Sequence, residues 1–304
     1  MNSTAKKSRP ASTWRRNHRG NLPFTIALNR SLFRLFGSYL PRLMSWWGFR
    51  LWSQTHRFEA PTREKRLQLR ASECSLRLND IEVKAWKWGN GPSVLLVHGW
   101  NGRGMQLGRL VDPLLSAGYQ VITFDAPGHG QSGGTHTHLI QIRDAIIALS
   151  KQHGPLHAAV GHSFGVAALS SAVVAGVSIP NLVSISAPGG LSQLVNRYNQ
   201  AMCMPDAMAQ QLTQRIIARI GSSLWERFSE SYPLTDNVQR TLIIHDKEDR
   251  LVQWQESERL SQCWPNTELL LTEGLGHRRI LQNTKLANSI TDFIDTPLIG
   301  DDLS

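Results

Sequence analysis

The stretch HAAVGHSFGVAALSSAVVA (residues 157–175) decides the fold. Its first six residues, His157 to His162, form a short apolar run of the kind that makes a strand buried on both faces. From Phe164 to Ala175 small and aliphatic residues continue over a helix-length span. Between the two, Gly161, His162, Ser163, Phe164 and Gly165 spell G-x-S-x-G at a strand-to-helix junction, the context this motif requires. So sharp a turn tolerates only small neighbours, which accounts for the two glycines. It lifts the Ser163 hydroxyl above the sheet and aims the N–H groups of the helix start at the same point.

Outward from this junction the same alternation repeats. Apolar runs rich in β-branched residues stand at 93–98 (SVLLVH), 120–125 (QVITFD), 181–186 (NLVSIS), 241–246 (TLIIHD) and 267–272 (TELLLT), each read as a strand buried on both faces. Helix-length segments lie between them at Met105–Ala117, Leu139–Gln152, Trp254–Cys263 and Ile280–Ile294. Strand and helix in alternation predict an α/β fold, a mostly parallel central sheet with helices on both faces. A strand-turn-strand pattern, Ser75–Asn79 and Ile81–Trp88, precedes it behind a basic linker at 60–72. The interval 188–236 has no strand but places Leu212, Ile216, Ile217 and Ile220 on one helical face, so it reads as a helical lid inserted in a domain spanning 74–296. Met202, Met204 and Met208 are expected in the lid core.

A serine hydroxyl becomes a useful nucleophile only when a histidine takes its proton, and that histidine needs a carboxylate to fix its tautomer. In this topology the chain order is serine, acid, histidine, the last two following late strands. His277 follows TELLLT in EGLGHRRI. Three carboxylates compete in HDKEDRLV (245–252): Asp246 ends the strand and Glu248 suits solvent, whereas Asp249 sits in the loop with Leu251 and Val252 behind it, and is the preferred acid. The glycine-rich HGWNGRG (98–104) suits a backbone that approaches substrate, so the expected oxyanion donors are the N–H groups of Trp100 and Phe164. Trp100 and His162 are expected to contact substrate.

The set HGWNG at 98–102, DAPGHGQS at 125–132, GHSFG at 161–165, Asp249 and GLGH at 274–277 resembles the α/β-hydrolase fold superfamily in order and spacing, over roughly residues 74–295. Within it the chain is similar to bacterial members with a short helical lid, many of them esterases. The resemblance implies a Ser163, Asp249, His277 triad and hydrolysis through an acyl-enzyme. It implies no particular substrate. The fold's halide-displacing members use aspartate as nucleophile, so Ser163 speaks against that chemistry.

Other candidates have blander readings. His98, His129, His136, His138 and His162 lack carboxylate or cysteine neighbours at ligand spacing, so no metal is expected. Asp125 and His129 are read as holding a turn. The 98–104 loop has neither GxxxxGK[ST] nor GxGxxG, so no nucleotide cofactor is implied. Three widely spaced cysteines, Cys74, Cys203 and Cys263, indicate a reducing compartment, and the expected location is cytoplasmic.

The 304 residues carry 33 basic and 23 acidic side chains, a net charge of +10. Residues 1–70 alone hold 15 basic and 2 acidic ones, so the excess belongs to a leader and the catalytic body is slightly acidic. That distribution argues against a nucleic-acid partner. Residues 1–21 read as a disordered basic tail. Residues 22–58 read as an amphipathic helical arm in two helices meeting near Pro41, with Arg30, Arg34, Gly37, Ser38, Pro41, Ser45 and Gly48 on one polar stripe beside a wide apolar face. Arginines interrupt every window long enough to span a membrane. The arm either lies on an anionic lipid surface, making the protein peripheral on the inner face of the membrane, or packs on its own domain or on a second subunit.

The expected function is a serine hydrolase cleaving carboxylic esters, on a small-molecule or lipid substrate near a membrane. A thioesterase or acyltransferase with the same triad, and an inactive hydrolase-fold binding protein, are the alternatives. Oligomeric state is not legible.

Overall fold

The structure, a computed structural model, describes residues 24–297; the expected tail at 1–21 lies outside the described residues. Eight strands form one sheet in the order β1 (Ser72–Glu73), β4 (Ala85–Trp88), β6 (Gln120–Phe124), β5 (Ser93–Val97), β7 (Leu156–His162), β8 (Asn181–Ile185), β9 (Arg240–Asp246) and β10 (Thr267–Thr272). β4 runs antiparallel to both β1 and β6, and every later pairing is parallel. A separate hairpin, β2 (Leu76–Leu78) with β3 (Ile81–Val83), turns at Asn79, whose φ of 51° is one that Asn tolerates better than most residues.

Aliphatic residues on alternate sides of the parallel strands feed two cores. On one face the sheet packs against α5 (Leu139–His153), α6 (Phe164–Val174) and α10 (Trp254–Cys263). On the other it packs against α4 (Val111–Ser116) and α12 (Thr284–Asp295). β5 and β8 are buried throughout, as their unbroken apolar sequences predict. The register Val97↔Gly161, His162↔Ile185 and Ile185↔Ile244 brings the carboxyl ends of β5, β7, β8 and β9 to one edge, where the loops that follow them converge.

The expected boundaries differ from the structure where local contacts override pattern. The supposed linker holds α3 (Thr62–Gln68), whose Glu64 is buried against Arg103 (Nη2 to Oε1 3.1 Å) and whose Leu67 joins the core. The expected helix 105–117 is a 3-10 turn at Gly104–Leu107 followed by α4. The last helix begins at Thr284, where the Asn283 side chain caps it by accepting from Leu286 N. TELLLT is not buried on both faces: β10 is the sheet's edge, and Glu268 and Leu269 are exposed.

Between β8 and β9 the chain forms α7 (Leu191–Ala201), α8 (Asp206–Ile220) and α9 (Ser222–Phe228). Met208, Leu212, Ile216 and Ile220 make the buried row of α8 at i, i+4 spacing. Ile217 is only half-buried.

The N-terminal arm is α1 (Phe24–Phe36) and α2 (Pro41–Ser53), with Pro41 opening the second helix. Its orientation departs from the usual rule. The small residues of the polar stripe face inward, with Gly37, Ser45 and Gly48 buried and α2 lying along α8, while Arg34 and Ser38 of the same stripe are exposed. A Cβ on Gly48 would stand 3.1 Å from the methyl carbons of both Met204 and Met208, and one on Gly37 would meet Pro205 at 2.8 Å. Small residues therefore permit the close approach. Arg215 donates to Ser45 Oγ (3.1 Å) and to the Arg42 carbonyl (2.9 Å), and the Tyr198 hydroxyl donates to the Gly48 carbonyl (3.0 Å). Phe33 is the one large arm side chain fully buried, in a small core with Met202 and Met208. The broad apolar face is left outward.

Candidate active site

Ser163 sits on the turn between β7 and α6 with φ 52° and ψ −122°, a conformation costly for a residue with a Cβ. The glycines around it answer a packing demand. A Cβ on Gly165 would lie 2.5 Å from the Val97 carbonyl oxygen and 2.7 Å from that of His98. One on Gly99 would lie 2.9 Å from Ser163 Cβ. The turn fits only because these three backbones touch.

Asp249 follows β9, in the 247–252 loop. It is buried, and its Oδ1 accepts from the backbone N–H of Leu251 (2.8 Å) and Val252 (2.9 Å). Its Oδ2 accepts from His277 Nδ1 at 2.6 Å, and His245 Nε2, which donates to the Val252 carbonyl (3.2 Å), lies 3.3 Å from the same oxygen. Burial alone would raise this carboxyl, but the adjacent His245 ring, the hydrogen bond from His277 and the Val252 N–H outweigh it and hold the group well below the usual carboxylate range. Because Nδ1 of His277 donates to Asp249, Nε2 is left as the ring's acceptor.

Asp246, the competing acid, has another task. Its two oxygens accept from the N–H groups of Gly276 (2.8 Å), Leu275 (3.0 Å) and Glu248 (3.0 Å) and from the Thr272 hydroxyl (2.8 Å). It therefore ties the loop carrying His277 to the loop carrying Asp249. Glu248 is exposed.

His162 does not line the open pocket. It is buried behind His277, ring centroids 4.8 Å apart, and its Nε2–H donates to the His277 carbonyl at 2.9 Å. Burial and the neighbouring His277 ring push it down to about 3, so it stays neutral and braces the His277 loop.

The 98–104 loop is held from beneath by two neutral histidines. His98 Nε2 accepts from Ala126 N (2.9 Å) and His129 Nε2 accepts from Asn101 N (3.0 Å), while each Nδ1 donates to a carbonyl, that of Gly99 (2.7 Å) and Pro127 (3.1 Å). Burial lowers them to about 4 and about 3. The buried Asp125 carboxylate, raised by that burial, accepts from Gly104 N (2.8 Å) and Gln131 N (2.7 Å) and joins this loop to the DAPGHGQS turn. Asp125 and His129 thus hold turns. Neither the Trp100 N–H nor the Phe164 N–H has an acceptor among the described residues. The two rings meet edge to face, centroids 5.3 Å apart.

Ser163, Trp100 and Phe164 open onto a cavity of about 320 Å³. Leu51, Trp52 and His56 from the arm and Leu194 and Tyr198 from α7 complete most of its wall. A smaller recess of about 30 Å³ behind Trp52, Trp100 and Phe164 is lined largely by apolar groups. Leu194 and Tyr198 share a helix face at i, i+4, but nothing in the sequence says which cavity they meet. The arm's part in the wall, the His245 ring beside Asp249 and the Asp246 cradle were likewise outside the sequence reading; strand-end position was the only signal for Asp246.

The chain belongs to the alpha/beta hydrolase family, whose model matches residues 94–288. Over 93 residues it is 33% identical to a human protein named serine hydrolase-like protein, a match covering 28% of this chain and 44% of that one, so it spans under half that relative's length. Among solved structures it is similar to an esterase from Pyrococcus furiosus, with a TM-score of 0.58 and 20% identity over 79% of this chain and 98% of the other. It is equally similar in fold to a bacterial membrane phospholipase A, with a TM-score of 0.58 and 17% identity over 89% and 98% of the two chains. These structural likenesses speak to the fold alone.

Proposed function

We propose that the protein is a serine hydrolase of carboxylic esters with an apolar acyl group. The observation that carries this reading is the 2.6 Å bond from His277 Nδ1 to the buried Asp249, whose carboxyl is held below its ordinary range, on loops leaving the same sheet edge as the strained Ser163 turn. In this reading His277 Nε2 takes the Ser163 proton as Oγ attacks the ester carbonyl, and the Trp100 and Phe164 N–H groups receive the oxyanion. His277 then gives that proton to the departing alcohol, leaving an acyl-serine. Water, deprotonated by the same histidine, attacks the acyl carbon and releases the carboxylic acid and free Ser163. Asp249 stays ionised, orients the ring and stabilises the imidazolium.

The cavity's size suits one small organic molecule, such pockets running from about 300 to 1,000 Å³. Leu51, Trp52, Trp100, Phe164, Leu194 and Tyr198 make most of its wall apolar, beside Gln54, His56 and Asn101, which favours an acyl chain over a polar group. Cys74, Cys203 and Cys263 are all free, which supports a reducing, cytoplasmic setting. The test is a chain-length series of p-nitrophenyl esters beside matched acyl thioesters. Hydrolysis rising with acyl length, faster on oxygen esters and reduced by about 10³-fold or more in Ser163→Ala, is expected. Equal turnover by wild type and Ser163→Ala would overturn the proposal.

A further inference from the structure

The described residues expose fourteen large hydrophobic side chains, and ten of them lie between Phe24 and Trp47. On α2, Leu43, Trp46, Trp47 and Arg50 follow one helical face at i, i+3, i+4 and i+7, all exposed. Tyr39, in the bend before it, is 83% exposed. The opposite face of α2 is already committed to α8 through Ser45 and Gly48, and none of the described residues covers this patch. A cluster this concentrated marks an interaction surface.

Charge selects the occupant. Residues 1–58 contain eleven Lys and Arg and no Asp or Glu. Arg34, Arg42 and Arg50 are exposed among the apolar side chains, Arg50 lying 5.6 Å over the Trp46 ring. A second copy docked face to face would bring arginines against arginines with no acidic residue of the arm between them. An anionic lipid surface satisfies both halves of the pattern, phosphates for the arginines and the interfacial zone for tryptophan and leucine. No helix among the described residues is long and apolar enough to cross a membrane, so the arm would lie along the surface.

We infer that α1 and α2 form a docking face for an anionic lipid bilayer. The same α2 supplies Leu51 and Trp52 to the pocket containing Ser163, so docking sets the pocket beside the bilayer. This deepens the ester-hydrolase reading, and on that reading the substrate class is an acyl ester resident in the membrane.

The test is flotation of the full chain carrying Ser163→Ala with phosphatidylcholine vesicles, with and without phosphatidylglycerol. Binding is expected to the anionic vesicles, to weaken with salt, and to fall at least about tenfold in Leu43→Glu/Trp46→Glu. In the Ser163 background that double variant should hydrolyse a short soluble ester at the parent rate, showing an intact fold. Should it not fold, Arg34→Gln/Arg42→Gln is expected to lose anionic binding and its salt dependence. Equal partitioning of variants and parent, or no vesicle binding, would overturn the inference. So would a change from dimer to monomer in Leu43→Glu/Trp46→Glu without vesicle binding in the parent, which would assign the face to self-association. Flotation needs no turnover, so a failed docking result leaves the esterase reading standing, and an inactive but docking protein leaves the inference standing.

Discussion

Three N–H donors converge on the Asp249 carboxylate, two from its own loop and one from His277, and the His245 ring lies beside them. This full satisfaction is why a buried acid remains ionised beside a histidine that must stay correctly oriented. The neighbouring histidines follow the opposite logic, since His98, His129 and His162 are held neutral by burial, at about 4, about 3 and about 3 against an ordinary 6.5. As pH falls through 6.5 the unfolded chain takes up protons that the folded one refuses. Stability is therefore complete above that value and lost progressively toward about 4 for His98 and about 3 for His129 and His162, by up to about 1.4 kcal/mol per pH unit for each. Asp249, lowered in the folded state, adds a further loss below its ordinary range, while the raised Asp125 works the other way. Urea unfolding midpoints are expected to fall steadily as pH drops below 6.5, and a flat profile would contradict this. At this scale the sequence made Asp249 preferable to Asp246 because loop and strand-end positions differ. It could not show His245, whose ring meets the Asp249 loop and Ser257 of α10 only once the chain turns back after β9.

The element that matters most is the β7–Ser163–α6 turn. Its sequence signal was strong because three requirements coincide in five residues: a buried strand, a strained serine and a helix start. Gly165→Ala is expected to destabilise the fold by about 3 kcal/mol or more and to abolish esterase activity, since the new methyl would meet backbone oxygens of Val97 and His98 that have no freedom to move. Chemical denaturation with a parallel ester assay measures both effects. A variant as stable and active as the parent would contradict the packing account. The arm was legible only in part. Its two helices and the break at Pro41 followed from periodicity, but which stripe turns inward is set by the fit of Gly37, Ser45 and Gly48 to α8, a tertiary fact. Likewise α3 was hidden in a charged segment because its one buried charge, Glu64, is stabilised by Arg103 some forty residues away.

Across the whole molecule, charge and chemistry occupy different parts of the chain. Arginine and aromatic residues gather in the arm, while the parallel sheet and its loops carry Ser163, Asp249 and His277. The parallel sheet with helices on both faces was readable from alternating strands and helices, because parallel strands need crossovers and each crossover leaves a helical signature, whereas the strand order was not. The cavity was not, since its wall draws on α2, α7 and the 98–104 loop, segments brought together only by folding. The most direct test of the central claim is labelling of the purified protein with a fluorophosphonate, read by intact mass beside Ser163→Ala. One adduct on the wild type and none on the variant is the predicted result. A folded wild type that takes no adduct at neutral pH, with or without anionic vesicles, would contradict the claim that Ser163 is an activated nucleophile.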